Sequence, residues 1–438
     1  MTAKAATLKR ELGLFGASML GLGSILGTGV FVSIGVAAGA AGPALVLAIA
    51  LAALLATCNA LSSAQLAAAY PVSGGAYEYG HRLLRPELGF TAGWMFLSAK
   101  TASAATAALG AAGYLLRLVR ADGQGLQVPL ALVLAAGFTG LVLSGLRRSS
   151  AVNVAIVSVS VAALAGLILA AAPRAWAEGG AQFSPFFSDE GGARDFFYAS
   201  ALMFVAYAGY ARIATLGEEV VEPRRTIPRA IIVTLVVSAA LYMAVAAVSI
   251  GVIGAPALAE AVAADAAPLE AVARALGLPL LPRLVAIGAV AAMLGVLLNL
   301  LLGLSRMALA MGRRAELPPV LGRLSAKGEA PAAAVIAVGA IVAGLTLLGD
   351  VETTWAFSAF TILVYYAITN LAALRLPKTQ RLYPPVVARA GLAGCIFLAI
   401  WIPRGIWLPG LALIVAGLVW RLVAVRLWPA PQAQGGAA

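Results

Sequence analysis

The chain has 438 residues, of which 62% are hydrophobic and only 11% charged, against about 25% charged in a soluble domain. That balance excludes a soluble enzyme or scaffold and leaves an all-α polytopic membrane protein whose surroundings are a lipid bilayer. The formal net charge of +12 would suggest nucleic acid in a soluble protein, but the cations are distributed by loop, so no nucleic-acid partner is expected.

Apolar segments long enough to cross about 30 Å of hydrocarbon recur at residues 13–37, 43–69, 89–116, 127–146, 151–172, 196–216, 228–253, 283–311, 332–348, 353–374, 386–403 and 405–427. They predict twelve spans. With both termini cytoplasmic, about 21 Lys and Arg fall inside and about 7 outside, as the positive-inside rule requires. Residues 1–12 are basic and lack a cleavage site, so the first span is read as a retained anchor. The expected location is the inner (cytoplasmic) membrane.

The first span contains GSILGTGVF, Gly23 to Phe31. Gly23, Gly27 and Gly29 permit the helix to unwind there and turn amide N–H groups into a cavity, where the N-terminus of the following half-helix favours a carboxylate. The same glycines also suit a close helix crossing. Cys58 and Cys395 lie inside apolar spans, so no disulfide-linked subunit is expected. Residues 70–88 read as a turn at Gly74 and Gly75 followed by an amphipathic stretch on the membrane surface, in which the single histidine, His81, is structural. Lys100 stands deep in the third span, where an ammonium is costly and marks a pathway, a partner or a tether to backbone carbonyls.

The external loop 173–195 leads into the sixth span, ALMFVAYAGYARIATLGEE, which places Gly209 in mid-membrane and ends on paired glutamates. Arg212 is expected either to face the intracellular vestibule or to partner Glu218 or Glu219 at the inner gate or the lipid headgroups. Residues 255–281 are too weakly apolar to span and read as an external helix over the cavity. Interrupted first and sixth spans predict an inverted-repeat transporter, with residues 13–172 as the first repeat and 196–374 as the second. Residues 386–427 add two helices, and residues 428–438 form a cytoplasmic tail. A membrane enzyme is disfavoured because one His and two separated Cys supply no metal site or acid–base cluster, and no cofactor is expected.

Four blocks resemble the amino acid–polyamine–organocation (APC) transporters. They are GSILGTGVF with Gly42-Pro43, PVSGGAYEYGHRLLRPELGFTAGW, FVAYAGYARIATLGEEVVEPRRTIPRAI and LLGLSRMALAMGRRAELP. The resemblance implies a LeuT-like fold of two inverted five-span repeats plus two helices, moving an amino acid by alternating access. It implies that Ser24, Gly27, Thr28 and Gly29 receive the α-carboxylate, and that carbonyls around Val205, Ala206 and Ala208 receive the α-ammonium. Tyr207 and Tyr210 would gate the site, and Lys100 matches a substrate-contacting position. Cation-selective relatives often carry a carboxylate where this chain has Ala211, so neutral substrates are expected and anionic ones stay open. Met293-Leu294-Gly295 lacks the hydroxyls of a sodium site, and Val157 to Ser160 lacks the lysine that replaces sodium in some relatives. Sodium-independent proton symport or exchange is the expected mode, with a non-transporting amino acid sensor as the alternative.

Overall fold

Glycine and proline decide where the helices of this chain begin, break and end. The computed structural model describes residues 12–70, 74–119, 125–144, 150–187, 192–214, 220–324, 331–348 and 350–428. Among these the regular structure is helical, apart from an isolated bridge between Leu12 and Val220. Three pieces, α1 (Leu14–Ile25), α2 (Thr28–Phe31) and α3 (Ser33–Ala41), divide the first predicted span. There follow α4 (Leu45–Ala69), α5 (Ala76–Leu83), α6 (Pro86–Leu118), α7 (Gln127–Leu143) and α8 (Ser150–Glu178). The sixth predicted span is also divided, into α9 (Gly192–Tyr207) and α10 (Ala211–Ala214), joined by a 3-10 turn at Ala208–Tyr210. The remainder comprises α11 (Pro223–Asp265), α12 (Pro268–Ala275), α13 (Leu281–Arg313), α14 (Ala332–Thr346), α15 (Val351–Leu374), α16 (Pro385–Ile400) and α17 (Arg404–Leu427). Seven helical stretches among the described residues are long and apolar enough to cross a membrane, and four further apolar helices are shorter.

Proline opens α6, α11, α12 and α16, where its missing N–H would have had no intrahelical acceptor. The Asp350 carboxylate caps α15 by accepting from the Glu352 and Thr353 amides at 2.9 and 3.2 Å. Gly254 interrupts α11 with φ 79° and ψ 161°, a conformation that favours glycine. Beyond it the helix continues to Asp265, and α12 (Pro268–Ala275) follows, so most of residues 255–281 is helical. They cover α3, since a Cβ on Gly35 would meet the Leu258 carbonyl at 2.9 Å and Pro268 at 3.0 Å.

The centre is built around α6, which packs on α13 and α15. Gly93 of α6 lies against Met311 and Gly110 against Met293, so α6 and α13 run antiparallel. The seam with α15 is polar: Ser103 pairs with Ser358 at 2.8 Å, Thr106 with Thr354 at 2.9 Å, and Ser358 donates to the Ala99 carbonyl. Such interhelical hydroxyl bonds replace the hydrophobic drive that helices lack among lipids.

The amphipathic stretch expected on the membrane surface is instead tucked into the end of the molecule that carries Leu12, called here the N-terminal face. Tyr77 and Tyr79 of α5 are buried, and the Ala76 amide donates to the Tyr365 hydroxyl at 3.3 Å. Its apolar face meets protein rather than lipid because Glu316, just past α13, supplies polar partners. The Glu316 carboxylate accepts from Tyr77 at 2.7 Å and from Arg421 Nε of α17 at 3.2 Å, and bonds His81 Nε2 at 3.0 Å. Its carbonyl accepts from Trp420 Nε1 at 2.9 Å.

Candidate functional site

In the first broken helix, α1 stops because Leu26 is extended (φ −73°, ψ 100°) and Gly27 follows at φ −173°, ψ −127°. After the single turn of α2, Val32 breaks the path again before α3. The unwinding is therefore shorter than Gly23 to Phe31. Gly23 stays helical and gives room to Asn153 and Val157 of α8, which is the close-crossing use of glycine. Gly27 is needed for proximity rather than dihedral freedom: a Cβ there would lie 2.6 Å from Val296 Cγ2 of α13.

The two broken helices touch through glycine. A Cβ on Gly29 would lie 2.6 Å from Ala206 Cβ and 2.9 Å from the Tyr242 hydroxyl, and one on Gly209 would strike the Ser24 carbonyl. Gly209 itself sits in a tightened 3-10 turn rather than an open loop.

Backbone carbonyls at the breaks find partners within the protein, as a low-dielectric interior demands. The Tyr242 hydroxyl of α11 lies 2.8 Å from the Ile25 carbonyl and 3.4 Å from that of Ala206. Tyr114 donates to Phe31 at 2.6 Å and accepts from the Leu269 amide at 3.2 Å, which ties the far end of α2 to α12. Tyr366 donates to Ala208 at 3.2 Å, and Trp355 Nε1 to Leu202 at 3.0 Å. Of the carbonyls expected to receive an ammonium, Ala208 thus already accepts from a tyrosine, and Ala206 shares the Tyr242 proton with the nearer Ile25 carbonyl.

The donors are left over. Among the described residues the Gly27, Thr28 and Gly29 amides reach no backbone carbonyl, as befits the first turn of a helix. The Thr28 hydroxyl is buried without a partner. Three amides and a hydroxyl thus stand without acceptors within about one turn. Ser24 stands outside it, because its hydroxyl bonds back to Leu20 at 2.9 Å.

Val205, Ala206, Tyr207 and Ala208 are buried at the second break. Tyr207 faces α4, its hydroxyl 3.5 Å from the Ile49 carbonyl and its ring 5.2 Å from that of Tyr242. Tyr210 is buried with its ring 5.3 Å from Tyr366. Arg212 is half-buried on α10, and Glu218 lies outside the described residues. Lys100 is 7% exposed. Among the described residues its side chain makes no hydrogen bond to a backbone carbonyl.

Where α13 meets the first break it presents Ala292 and Val296, while Met293 turns to Gly110. Among the described residues no three His, Cys, Asp or Glu side chains converge as metal ligands. Sequence reasoning missed Tyr114, Tyr242, Tyr366 and Trp355, which complete the backbone bonding of the breaks. For Tyr242 and Tyr366 the signal was a polar-tipped aromatic in mid-span, where no water is present to satisfy it.

A cavity of about 660 Å³ opens on the face opposite the N-terminal one. It is bounded by Gly35 and Gly39 of α3, Tyr198 of α9, Glu260 of α11, Glu352 of α15 and Trp401. Both broken helices run from its walls to the breaks.

Helices able to cross a membrane, two broken helices in contact and a cavity on one face make this a polytopic membrane protein. The chain matches the amino acid permease family over residues 16–434 and belongs to it. It is similar to an uncharacterised transporter of Mycobacterium tuberculosis, 41% identical over 94% of this chain and 90% of that protein. The branched-chain amino acid permease BcaP of Bacillus subtilis is 29% identical over 96% of this chain and 93% of its own length. The methylthioribose transporter of the same organism is 26% identical over 94% and 93%.

Proposed function

We propose that this permease moves neutral amino acids across the inner membrane by alternating access, without sodium and by proton symport or exchange. The observation that carries the reading is the set of unmade donors at Gly27, Thr28 and Gly29, which suits an α-carboxylate. The remaining lone pairs at Ala206 and Ala208, beside Val205, suit an α-ammonium. Small neighbours, Ala99, Ala102 and Ala211, leave space for a side chain and offer no carboxylate to a cationic one. The branched-chain permease among the relatives supports an uncharged side chain.

Twelve spans in two inverted five-helix repeats plus α16 and α17 account for the helix order. In this reading the N-terminal face is cytoplasmic, as are both termini. The aliphatic surface that α13 turns to the first break, Ala292 and Val296, supports independence from sodium, a hard cation that takes oxygen ligands.

Purified protein in proteoliposomes is offered each labelled amino acid with and without sodium and proton gradients. The expected result is saturable uptake of neutral amino acids, unchanged when choline replaces sodium. Binding without flux, or a saturable sodium dependence, would overturn it.

A further inference from the structure

Among the described residues Lys100 is a buried cation with nothing to pair with. It lies 14 residues into α6, about 21 Å along the helix from Pro86. Its depth is set by its neighbours. Ala99 accepts from Ser358, and Ser358 lies on α15 between Trp355 and Tyr366, which bond the Leu202 and Ala208 carbonyls. Lys100 is therefore level with the last turn of α9. Flanking residues on the same side of α6 are engaged elsewhere: Phe96 with Tyr365, Ser103 with Ser358, and Gly93 with Met311 and Tyr77.

The surrounding elements supply no counter-charge. Helices α1, α2, α7 and α14 contain no ionisable residue. On α13, Arg306 and Arg313 are exposed. The middle of α15 offers Tyr365 and Tyr366, and Glu352 lies at its far end. On α5, Glu78 pairs with Arg314 and Arg82, while His81 and Tyr77 bond Glu316. From α17, Arg421 pairs with Glu316 and Glu87. On α9, Tyr207 faces α4, and Arg194, Asp195 and Tyr198 border the cavity on the opposite face.

We infer that Lys100 is the proton-carrying residue of this permease: Nζ binds a proton as the substrate's carboxylate enters and gives it up when the substrate leaves. The inference rests on the transport reading above. A charge buried without a partner makes proton gain and loss the natural response to a change in its surroundings. The arriving carboxylate, held at Gly27 to Gly29, brings negative charge into the same low-dielectric interior and favours the ammonium. One N–H bond forms from a proton taken through the cavity, and the same bond breaks on the other side. Proton and substrate then cross together.

The test uses the full chain in proteoliposomes loaded with a pH-sensitive dye, with labelled leucine as probe. For the parent, leucine entry should acidify the lumen, and its initial rate should rise several-fold from about pH 8 to about pH 5. Lys100→Met and Lys100→Gln should move no protons and give flat pH profiles, with monodispersity in detergent confirming that they fold. Variants that acidify the lumen along the parental pH profile would overturn the inference. Leucine flux without proton movement in the parent would overturn it too, while leaving the transport reading intact. No flux of any amino acid in the parent would instead sink the transport reading.

Discussion

Thr28 is the residue whose environment says most about what the first break is for. Its hydroxyl is buried beside three unused amides and bonds to nothing among the described residues. A buried group without a partner costs the fold of order 1–3 kcal/mol, so its presence must be offset elsewhere. Thr28→Val removes the hydroxyl and keeps the shape. The thermal midpoint should hold or rise, while KM for a neutral amino acid increases about tenfold, the effect of losing one hydrogen bond to a charged group. Uptake kinetics equal to the parent's would show that the hydroxyl does not touch substrate. Tyr242 illustrates the complementary case. Its single proton has two acceptors, on Ile25 and on Ala206, so one hydroxyl couples the backbone of both broken helices.

At the scale of helices, the glycines serve packing as much as dihedral freedom. Gly29 faces Ala206 and Tyr242 so closely that a larger residue must push α2 and α9 apart, at about 1–3 kcal/mol. Gly29→Val should therefore lower the thermal midpoint and abolish transport together. Gly137→Val on α7, where a Cβ meets nothing within 4 Å, serves as the control and should change neither. Equal stability of the two variants would contradict the contact between the breaks. Two broken helices and a helical order were legible in the sequence, because clustered glycines inside an apolar run mark either a break or a close crossing, and here they mark both. Which peptide group loses its helical bond was not legible: Gly23 and Gly27 look alike in sequence, and only the neighbours Asn153 and Val296 separate their roles. Tyr114 was equally hidden, since a tyrosine near the end of a span also fits a membrane interface. The burial of α5 depends on Glu316, more than 230 residues away, and no local pattern carries such a contact.

Across the whole molecule, the N-terminal face is fastened and the other face is open. Fastening centres on Glu316, where α5, the end of α13 and α17 meet, with the Leu12–Val220 bridge alongside. Burial alone would raise the Glu316 carboxyl, but hydrogen bonds and charge from His81, with Tyr77 and Arg421 donating, hold it below the usual range. A carboxyl whose folded pKa is depressed adds stability in full above its unfolded value, about 4.5 here, and loses it as pH falls through the folded value. Glu316→Gln should cost ~2 kcal/mol near neutrality. It should also flatten the fall in thermal midpoint that the parent shows on acidification below about pH 4.5. A parental acid profile in the variant would place that stability elsewhere.

The donors around Glu316 are far apart in the chain, and translation delivers them in order. Tyr77 and His81 leave the ribosome first, and the carboxylate reaches them more than 230 residues later. Arg421 follows Glu316 by a further 105 residues. During that interval the carboxylate has its early partners but lacks the cation that completes its shell. Arrival of α17 supplies this charge, together with the Trp420 bond to the Glu316 carbonyl and the Trp94 bond to the Leu413 carbonyl. The full set of Glu316 contacts thus needs α17, a helix distant in sequence from both breaks.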